Sequence, residues 1–400
     1  MGGAALVVGA AGYLVLLLTA PALGPAGYAQ FAIFWSLMYF IVGALFGVQQ
    51  EATRSTLSAA VAPSSGAAPR AVSVGAIVLG IVVIAVAASS WIWAPQLFGD
   101  DAAAIAVCVL VGTVLYAGLA VLAGSLSGRG EWSAYSWLLT SEALIRLAAV
   151  FAVILIAVDL VALAIATVAA MGVWVVALAV SSRARSAFAS RADAPLAPAV
   201  LRSLGTVAGT ASTAALVTGF GALVGLMAPD APAAELGVII LVITLTRAPI
   251  LMPINAYLGI AVSTFHERRD NGILRVLVKP ALAVLGAGLA LSVLAAWLGP
   301  WLIAVFFGEE FGAGWLVVGL STVSATLIGV LSLTGAAALA VDRHRAYVAG
   351  WLVAVLLAVL LLAIPGSLTT RVLVALLCAP VAGVITHVAL LAPSRSVRSF

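Results

Sequence analysis

The chain has 400 residues, of which 64% are hydrophobic and only 8% charged, with a formal net charge of +4 at pH 7. With a mean hydropathy of +1.26, this composition excludes a water-soluble globular protein, which needs far less apolar surface and would aggregate if it exposed this much. The continuity of the apolar runs excludes a β-barrel, whose strands are short and alternating, and the small net charge leaves no footprint for nucleic acid.

Apolar segments of about 20 residues recur along the whole length and predict an all-α polytopic membrane protein. Twelve spans are expected, near 2–22, 28–50, 71–93, 102–124, 133–158, 160–180, 203–227, 236–262, 280–298, 313–340, 346–364 and 371–392. Span one ends in Ala20-Pro21-Ala22, which resembles a signal-peptidase site. Without a basic n-region it reads as a retained span, although a missing basic start is also what a truncated N-terminus would show.

Span two carries Tyr28, Phe31, Trp35 and Tyr39 at helical spacing and ends in Gln49-Gln50-Glu51-Ala52-Thr53-Arg54. The aromatic stripe reads first as packing and lipid contact, with stacking on sugar rings as the functional alternative. Gln50 and Arg54 share a face and are candidates for the lip of a cavity; a hydrated helix end is the equal alternative. Cys108 and Cys378 lie inside apolar spans without disulfide or metal spacing and read as small core residues.

Span five holds Glu142 and Arg146, i and i+4, stacked on one face with the acid N-terminal to the base. Such a pair neutralises itself, so a structural role is expected first. A proton or cation relay, or a switch broken by substrate charge, is the alternative. The polar stretch 183–202 follows span six, with Arg183, Arg185, Pro195 and Pro198, and reads as the linker between an N-terminal lobe, 1–182, and a C-terminal lobe, 203–400.

Span eight places Arg247 near the bilayer centre, at a cost of ~2.5–3.5 kcal/mol. Pro249 and Pro253 follow. Each removes a helical donor and frees a carbonyl one turn back, so bending or unwinding is expected near Arg247. Asn255 and Tyr257 add hydrogen-bonding capacity. The functional reading is an anion-binding helix at the midplane; the alternative is a kinked helix whose arginine satisfies loosened carbonyls. His387 in span twelve and Tyr13 in span one read as satisfied packing residues.

Two signatures recur half a chain apart. Leu97-Phe98-Gly99-Asp100-Asp101 matches Phe306-Phe307-Gly308-Glu309-Glu310, an offset of 307 − 98 = 209, and Ala134-Tyr135 matches Ala346-Tyr347, an offset of 346 − 134 = 212. A weaker pair, Leu23-Gly24-Pro25 and Met227-Ala228-Pro229, gives 229 − 25 = 204. The pattern predicts two parallel six-helix repeats with a site between them. The doubled acids are expected to cap the helices that follow, since one active site would not require both. Loops with Arg54, Arg70, Arg129, Arg183, Arg185, Arg191, Arg202, Arg268, Arg269, Arg275, Lys279, Arg343, Arg345, Arg395 and Arg398 alternate with loops of Asp100, Asp101, Asp159, Asp230, Glu235, Glu309 and Glu310, where Arg371 is the sole cation. The positive-inside rule puts the first set and both termini in the cytoplasm.

The layout resembles the multidrug/oligosaccharidyl-lipid/polysaccharide (MOP) exporter superfamily, and within it the bacterial polysaccharide flippases. The resemblance rests on Leu23-Gly-Pro-Ala-Gly-Tyr-Ala-Gln-Phe31, Gly47-Val-Gln-Gln-Glu-Ala-Thr-Arg54, the doubled Phe-Gly-acid-acid turns and Arg247-Ala248-Pro249. It covers essentially the whole chain. It implies alternating access around a cavity between two lobes, with cationic groups meeting a lipid pyrophosphate; Arg247 fits that role, followed by Arg146 and Arg54. Relatives that export drugs commonly carry acids in span one or seven, and here neither span has any.

The expected function is therefore transport, not enzymatic catalysis: flipping of a polyprenyl-(pyro)phosphate-linked oligosaccharide across the bacterial plasma membrane for envelope polysaccharide synthesis. Arg247, Arg146, Glu142, Arg54, Gln50, Asn255 and Tyr39 are the expected substrate-binding residues. Expected partners are the lipid-linked glycan, membrane lipids, and a glycan polymerase or glycosyltransferases, with no cofactor, metal or nucleic acid. A small-molecule exporter of the same fold and an integral membrane glycosyltransferase are the alternatives.

Overall fold

The computed structural model describes residues 2–61, 69–269 and 272–392. Arg395 and Arg398 of the expected cytoplasmic tail lie outside the described residues. The chain forms two compact units, Met1–Gly237 and Val238–Phe400. The described residues are mostly helical, without a β-sheet.

In the first unit, α1 (Gly2–Val61) is two helices joined at Gly24, whose φ of 65° and ψ of 172° leave helical space beside Pro21 and Pro25. Pro25 lacks the N–H that would bond the Pro21 carbonyl, and glycine tolerates the positive φ, so the chain breaks here. α2 (Ala71–Phe98) and α3 (Ala102–Gly128) follow, then α4 (Trp132–Ile156). α5 (Leu160–Ala170) and α6 (Val173–Val180) together make span six, and the Asp159 carboxylate caps α5 by accepting from the Ala162 N–H at 2.8 Å. α7 (Ser182–Phe188) lies in the expected linker. α8 (Leu196–Val217) and α9 (Phe220–Met227) occupy the seventh span.

α10 (Ala233–Glu267) crosses the boundary between the units. The second unit continues with α11 (Ile273–Phe307), α12 (Trp315–Ala340), α13 (His344–Leu362) and α14 (Leu368–Leu391). Ten helical stretches among the described residues are long and apolar enough to cross a bilayer. Two of them, Leu6–Ala59 with 54 residues and Ala71–Gly128 with 58, would be over about 80 Å long as single rods, against a hydrocarbon core of ~30 Å. Each holds two crossings, one pair parted at Gly24 and the other at Gly99, which gives twelve. The chain is a multi-pass membrane protein.

Apolar runs mark only the lipid-embedded part of a helix. α8 accordingly begins before the expected position 203 and α11 before 280, because Arg202, Arg275 and Lys279 ride on helix that continues into the headgroup layer. The single seventh span is also interrupted, at Thr218-Gly219.

The duplicated signatures fold alike. Gly99 (φ 50°) and Gly308 (φ 95°) each end a helix in a conformation that disfavours side chains, and one turn of 3₁₀ helix carrying the acids follows in both, Gly99–Asp101 and Glu309–Phe311. No side-chain capping bond accompanies either turn, and α12 begins only at Trp315, beyond Glu309 and Glu310, so the expected capping by the doubled acids is not seen among the described residues. The second pair repeats a C-terminal motif bond for bond. Gly130 N donates to Ser127 O and Glu131 N to Leu126 O, while Asp342 N donates to Leu339 O and Arg343 N to Ala338 O. The residue with positive φ is Gly130 in one copy and Asp342 in the other.

Small residues let backbones approach where lipid offers no hydrophobic drive. Gly124 and Gly128, four apart on α3, face the backbone carbonyls of Gln49 and Thr53 on α1, where an added Cβ would collide with both.

Candidate functional site

Intramembrane arginine is costly, and α4 shows how this chain carries one. Arg146 is 3% exposed and its Nη2 lies 3.4 Å from Oε2 of Glu142, itself buried. The guanidinium also sits 5.4 Å from the ring centroids of both Trp35 and Tyr39, which stack on each other at 4.5 Å. Two aromatic faces from span two and one carboxylate therefore hold the charge, and Nε of Arg146 has no hydrogen-bond partner. The expected aromatic stripe divides. Tyr28 and Phe31 are fully buried packing residues, whereas Trp35 and Tyr39 form a cation cage.

At the loop end of span two, a cleft of about 350 Å³ opens between α1, α3 and α4, lined by Phe46, Gln49, Gln50, Thr53, Trp132 and Tyr135 together with Arg54 and Ser127. The Gln49 amide donates to the Tyr135 hydroxyl at 3.3 Å, and the Thr53 and Ser127 hydroxyls meet at 2.8 Å. Gln50 lines this cleft, as expected of a lip residue.

Arg54 has further commitments, of which only the i, i+3 pair with Glu51 was legible in the sequence. It donates from Nε and Nη2 to Glu51 at 2.9 and 2.7 Å, and from Nη1 and Nη2 to Asp193 at 3.0 and 3.2 Å. Arg202 at the start of α8 closes the ring, donating to Asp193 at 2.7 Å and to Glu51 at 3.3 Å. Nearby, Arg70 and Arg191 form an antiparallel bridge, with Ala71 N donating to Ser190 O and Ala192 N to Pro69 O, both at 2.8 Å. The 183–202 segment is thus tied to the ends of α1 and α2. Arg54 with Asp193 and Arg202 with Glu51 are contacts across more than a hundred residues that no local spacing signals, whereas Arg54 with Glu51 is an i, i+3 pair.

Burial works to raise the Asp193 carboxyl, but the Arg54 hydrogen bond and the Arg54 and Arg202 charges outweigh it and hold it below the usual carboxylate value. A depressed carboxylate stabilises the fold above its unfolded value of 3.8 and loses that contribution as pH falls through the folded value. The melting temperature in detergent should therefore drop as pH is lowered below about 4. Asp193→Asn should start lower at neutral pH and show a smaller drop. A variant with the wild-type acid profile would show that Asp193 does not hold this cluster.

In the second unit, Arg247 is 8% exposed on α10, while Asn255 and Tyr257 are exposed on the same helix. Of the expected bending or unwinding, unwinding does not occur: α10 is helical from Ala233 to Glu267 through Pro249 and Pro253. Its two missing N–H donors are spread over one turn and leave the flanking bonds to hold the helix. His387 is fully buried and satisfied. Its Nε2 bonds the Tyr347 carbonyl at 3.0 Å and its Nδ1 the Thr334 hydroxyl at 2.7 Å, in keeping with a packing role. Among the described residues no three His, Cys, Asp or Glu side chains converge as a metal site would require.

Sequence reasoning paired Glu142 with Arg146 and Gln50 with Arg54 and placed Tyr39 apart; in the fold Tyr39 joins the first pair in one cage, and the second pair lies at one cleft. It missed Trp35 as a cage wall and Trp132 and Tyr135 as cleft walls. Their position after the Gly130 turn, level with the end of span two, was the available signal.

No family model matches the chain. It is 36% identical over 394 residues to the uncharacterized protein Rv1510 of Mycobacterium tuberculosis, with 98% of this chain and 90% of that protein covered. Its structure is similar to an inward-facing multidrug resistance MATE family transporter of the MOP superfamily, at a TM-score of 0.70 and 13% identity over 97% of this chain and 98% of the other. It is also similar to a MOP superfamily transporter from Pyrococcus furiosus whose binding pocket is described as of reverse polarity, suggesting a different function, at a TM-score of 0.67 and 12% identity over 97% and 94%. With the fold of the MOP transporters established over nearly its whole length, the chain belongs to the same family as the mycobacterial protein Rv1510.

Proposed function

We propose that this protein is a flippase of the bacterial plasma membrane that moves a polyprenyl-(pyro)phosphate-linked oligosaccharide from the cytoplasmic to the external leaflet by alternating access. The polyprenyl tail stays in lipid while sugar and phosphate cross through the protein. One observation carries the reading: the spans bury arginines, Arg146 at 3% exposure and Arg247 at 8%, whereas spans one and seven contain no carboxylate. The buried acid Glu142 is already matched by Arg146, whereas a cargo bearing about two negative charges suits guanidinium forks, whose planar donors match phosphate oxygens. A MOP superfamily transporter described as having a binding pocket of reverse polarity, suggesting a different function, is among the structural neighbours and is in keeping with this reading. Enzymes that build the glycan on the inner face and polymerise it outside are the partners this activity requires.

The test is the lipid-linked saccharide profile of a strain depleted of the protein, with an impermeant label reporting the leaflet. A complete lipid-linked oligosaccharide should accumulate on the cytoplasmic face, and wild-type protein should clear it. Arg247→Ala at equal abundance should restore about a tenth or less of the flipping, as expected for loss of a charge-assisted phosphate contact. Full restoration by that variant would defeat the anion-site reading. A second reading, small-molecule export, is favoured by the multidrug transporter among the structural neighbours; an unchanged saccharide profile with hypersensitivity to toxic compounds would select it.

A further inference from the structure

The arginine cage and the cleft lie on one seam. At 100° per residue, Trp35, Tyr39, Phe46, Gln50 and Thr53 fall within about 60° on α1, and Trp132, Tyr135, Glu142 and Arg146 within about 80° on α4. Contacts join the two stripes at both ends, Arg146 with Trp35 and Tyr39 at one and Tyr135 with Gln49 at the other. Eleven residues separate Tyr39 from Gln50 and, on the other helix, Tyr135 from Arg146, so the two ends are about 16 Å apart at 1.5 Å per residue.

Their chemistry differs. The cage holds a buried cation. The cleft offers an exposed indole, Trp132 at 45% exposure and edge-on to Tyr135, with the Gln50 amide, which both donates and accepts. The arginine at its rim brings no net field, because Arg54 and Arg202 are matched by the carboxylates of Glu51 and Asp193. An anion would have to displace Asp193 from two guanidinium groups. A neutral ligand with a flat apolar face and a rim of hydroxyls would not, and 350 Å³ is within the range of small-molecule sites.

We propose that this cleft is a saccharide subsite, where a neutral pyranose ring of the cargo stacks on Trp132 and bonds through its hydroxyls to Gln50 and Tyr135. The assignment rests on the flippase reading for its cargo, and it divides the task along the seam: the cleft reads sugar and the arginine end reads charge. Recognition at the cleft sets which glycan enters and leaves the anion contact common to all lipid-linked cargo.

The experiment is saturation-transfer difference NMR on the full chain in nanodiscs, with maltose, cellobiose, lactose and N,N′-diacetylchitobiose as probes and inorganic pyrophosphate as competitor. At least one disaccharide should bind saturably. Trp132→Ala should weaken it about tenfold and Gln50→Ala about threefold, Trp132→Phe should keep most of it, and the lipid-facing control Trp297→Ala should leave it unchanged. Pyrophosphate should not compete. The proposal is overturned if none of the four binds, if Trp132→Ala and Gln50→Ala both bind as wild type, or if pyrophosphate displaces the sugar. Because Gln50 is exposed, its variant keeps the test open should Trp132→Ala fold poorly. The flipping assay on Arg247→Ala is a separate readout, so either reading can fail while the other stands.

Discussion

Arg146→Ala should abolish flipping and also lower the yield of folded protein, and only the second loss should be repaired by replacing Glu142 as well. Removing one partner of a buried ion pair leaves the other charge uncompensated, at about 3–5 kcal/mol, whereas replacing both by apolar groups is often close to neutral. Glu142 is buried with Arg146 at 3.4 Å as its cation, so the single variant bears the full penalty and Glu142→Leu/Arg146→Leu escapes most of it. Loss of the cage contacts with Trp35 and Tyr39 removes a further ~0.5–2 kcal/mol from the single variant. Transport follows another logic. If the guanidinium meets cargo phosphate, neither the double variant nor Arg146→Lys restores it, since lysine keeps the charge but loses the planar fork and the stacking. Fluorescence-detected size exclusion and thermal melts report folding, and the leaflet assay reports flipping. Recovery of flipping in the double variant would make the pair purely structural.

Gly47→Leu should separate α8 from α1. A Cβ on Gly47 would lie 2.5 Å from the Val207 nitrogen and 2.7 Å from the Thr206 carbonyl carbon, both backbone atoms. A flexible side chain could yield there by changing rotamer, but two helix backbones move only as whole helices. Overpacking of this kind costs about 1–3 kcal/mol or more. The same helix pair is also held by the Thr210 hydroxyl donating to the Ala44 carbonyl at 2.8 Å and by the Arg202 bonds to Glu51 and Asp193. In a background lacking Cys108 and Cys378, a cysteine at Ser203, which is 1% exposed, should react with an impermeant maleimide about tenfold faster when Gly47 is leucine. Flipping should fall in parallel if the proposed alternating access moves α8 against α1. An unchanged labelling rate would show that the backbones of α1 and α8 do not rest against each other in the membrane.

The sequence by itself determined the class of protein, the number of crossings and the local turns. Apolar runs of bilayer length leave a helix as the only way to satisfy the backbone in lipid. The signatures at Phe98-Gly99 and Phe307-Gly308 carry their own stop signals, so their shared conformation followed from local chemistry. The Glu142–Arg146 pair was equally legible, since i and i+4 side chains must be neighbours on a helix.

Tertiary structure decided which isolated polar residues became sites. Hydropathy gives Trp35 and Tyr39 the same meaning as Tyr28 and Phe31, and only the packing of α1 on α4 puts the first two around a guanidinium. It also decided that Arg54, which the sequence offered as a free cation at a helix end, meets Glu51 and Asp193 and leaves a neutral cleft beside it. The proline pair in α10 shows the limit in the other direction, for each missing hydrogen bond argued for bending or unwinding, while α10 stays helical through Arg247. Local rules determine what a segment of this chain is in a membrane. Which charges stay free to meet a ligand depends also on distant partners, as with Arg54 and Asp193, and no local pattern records those.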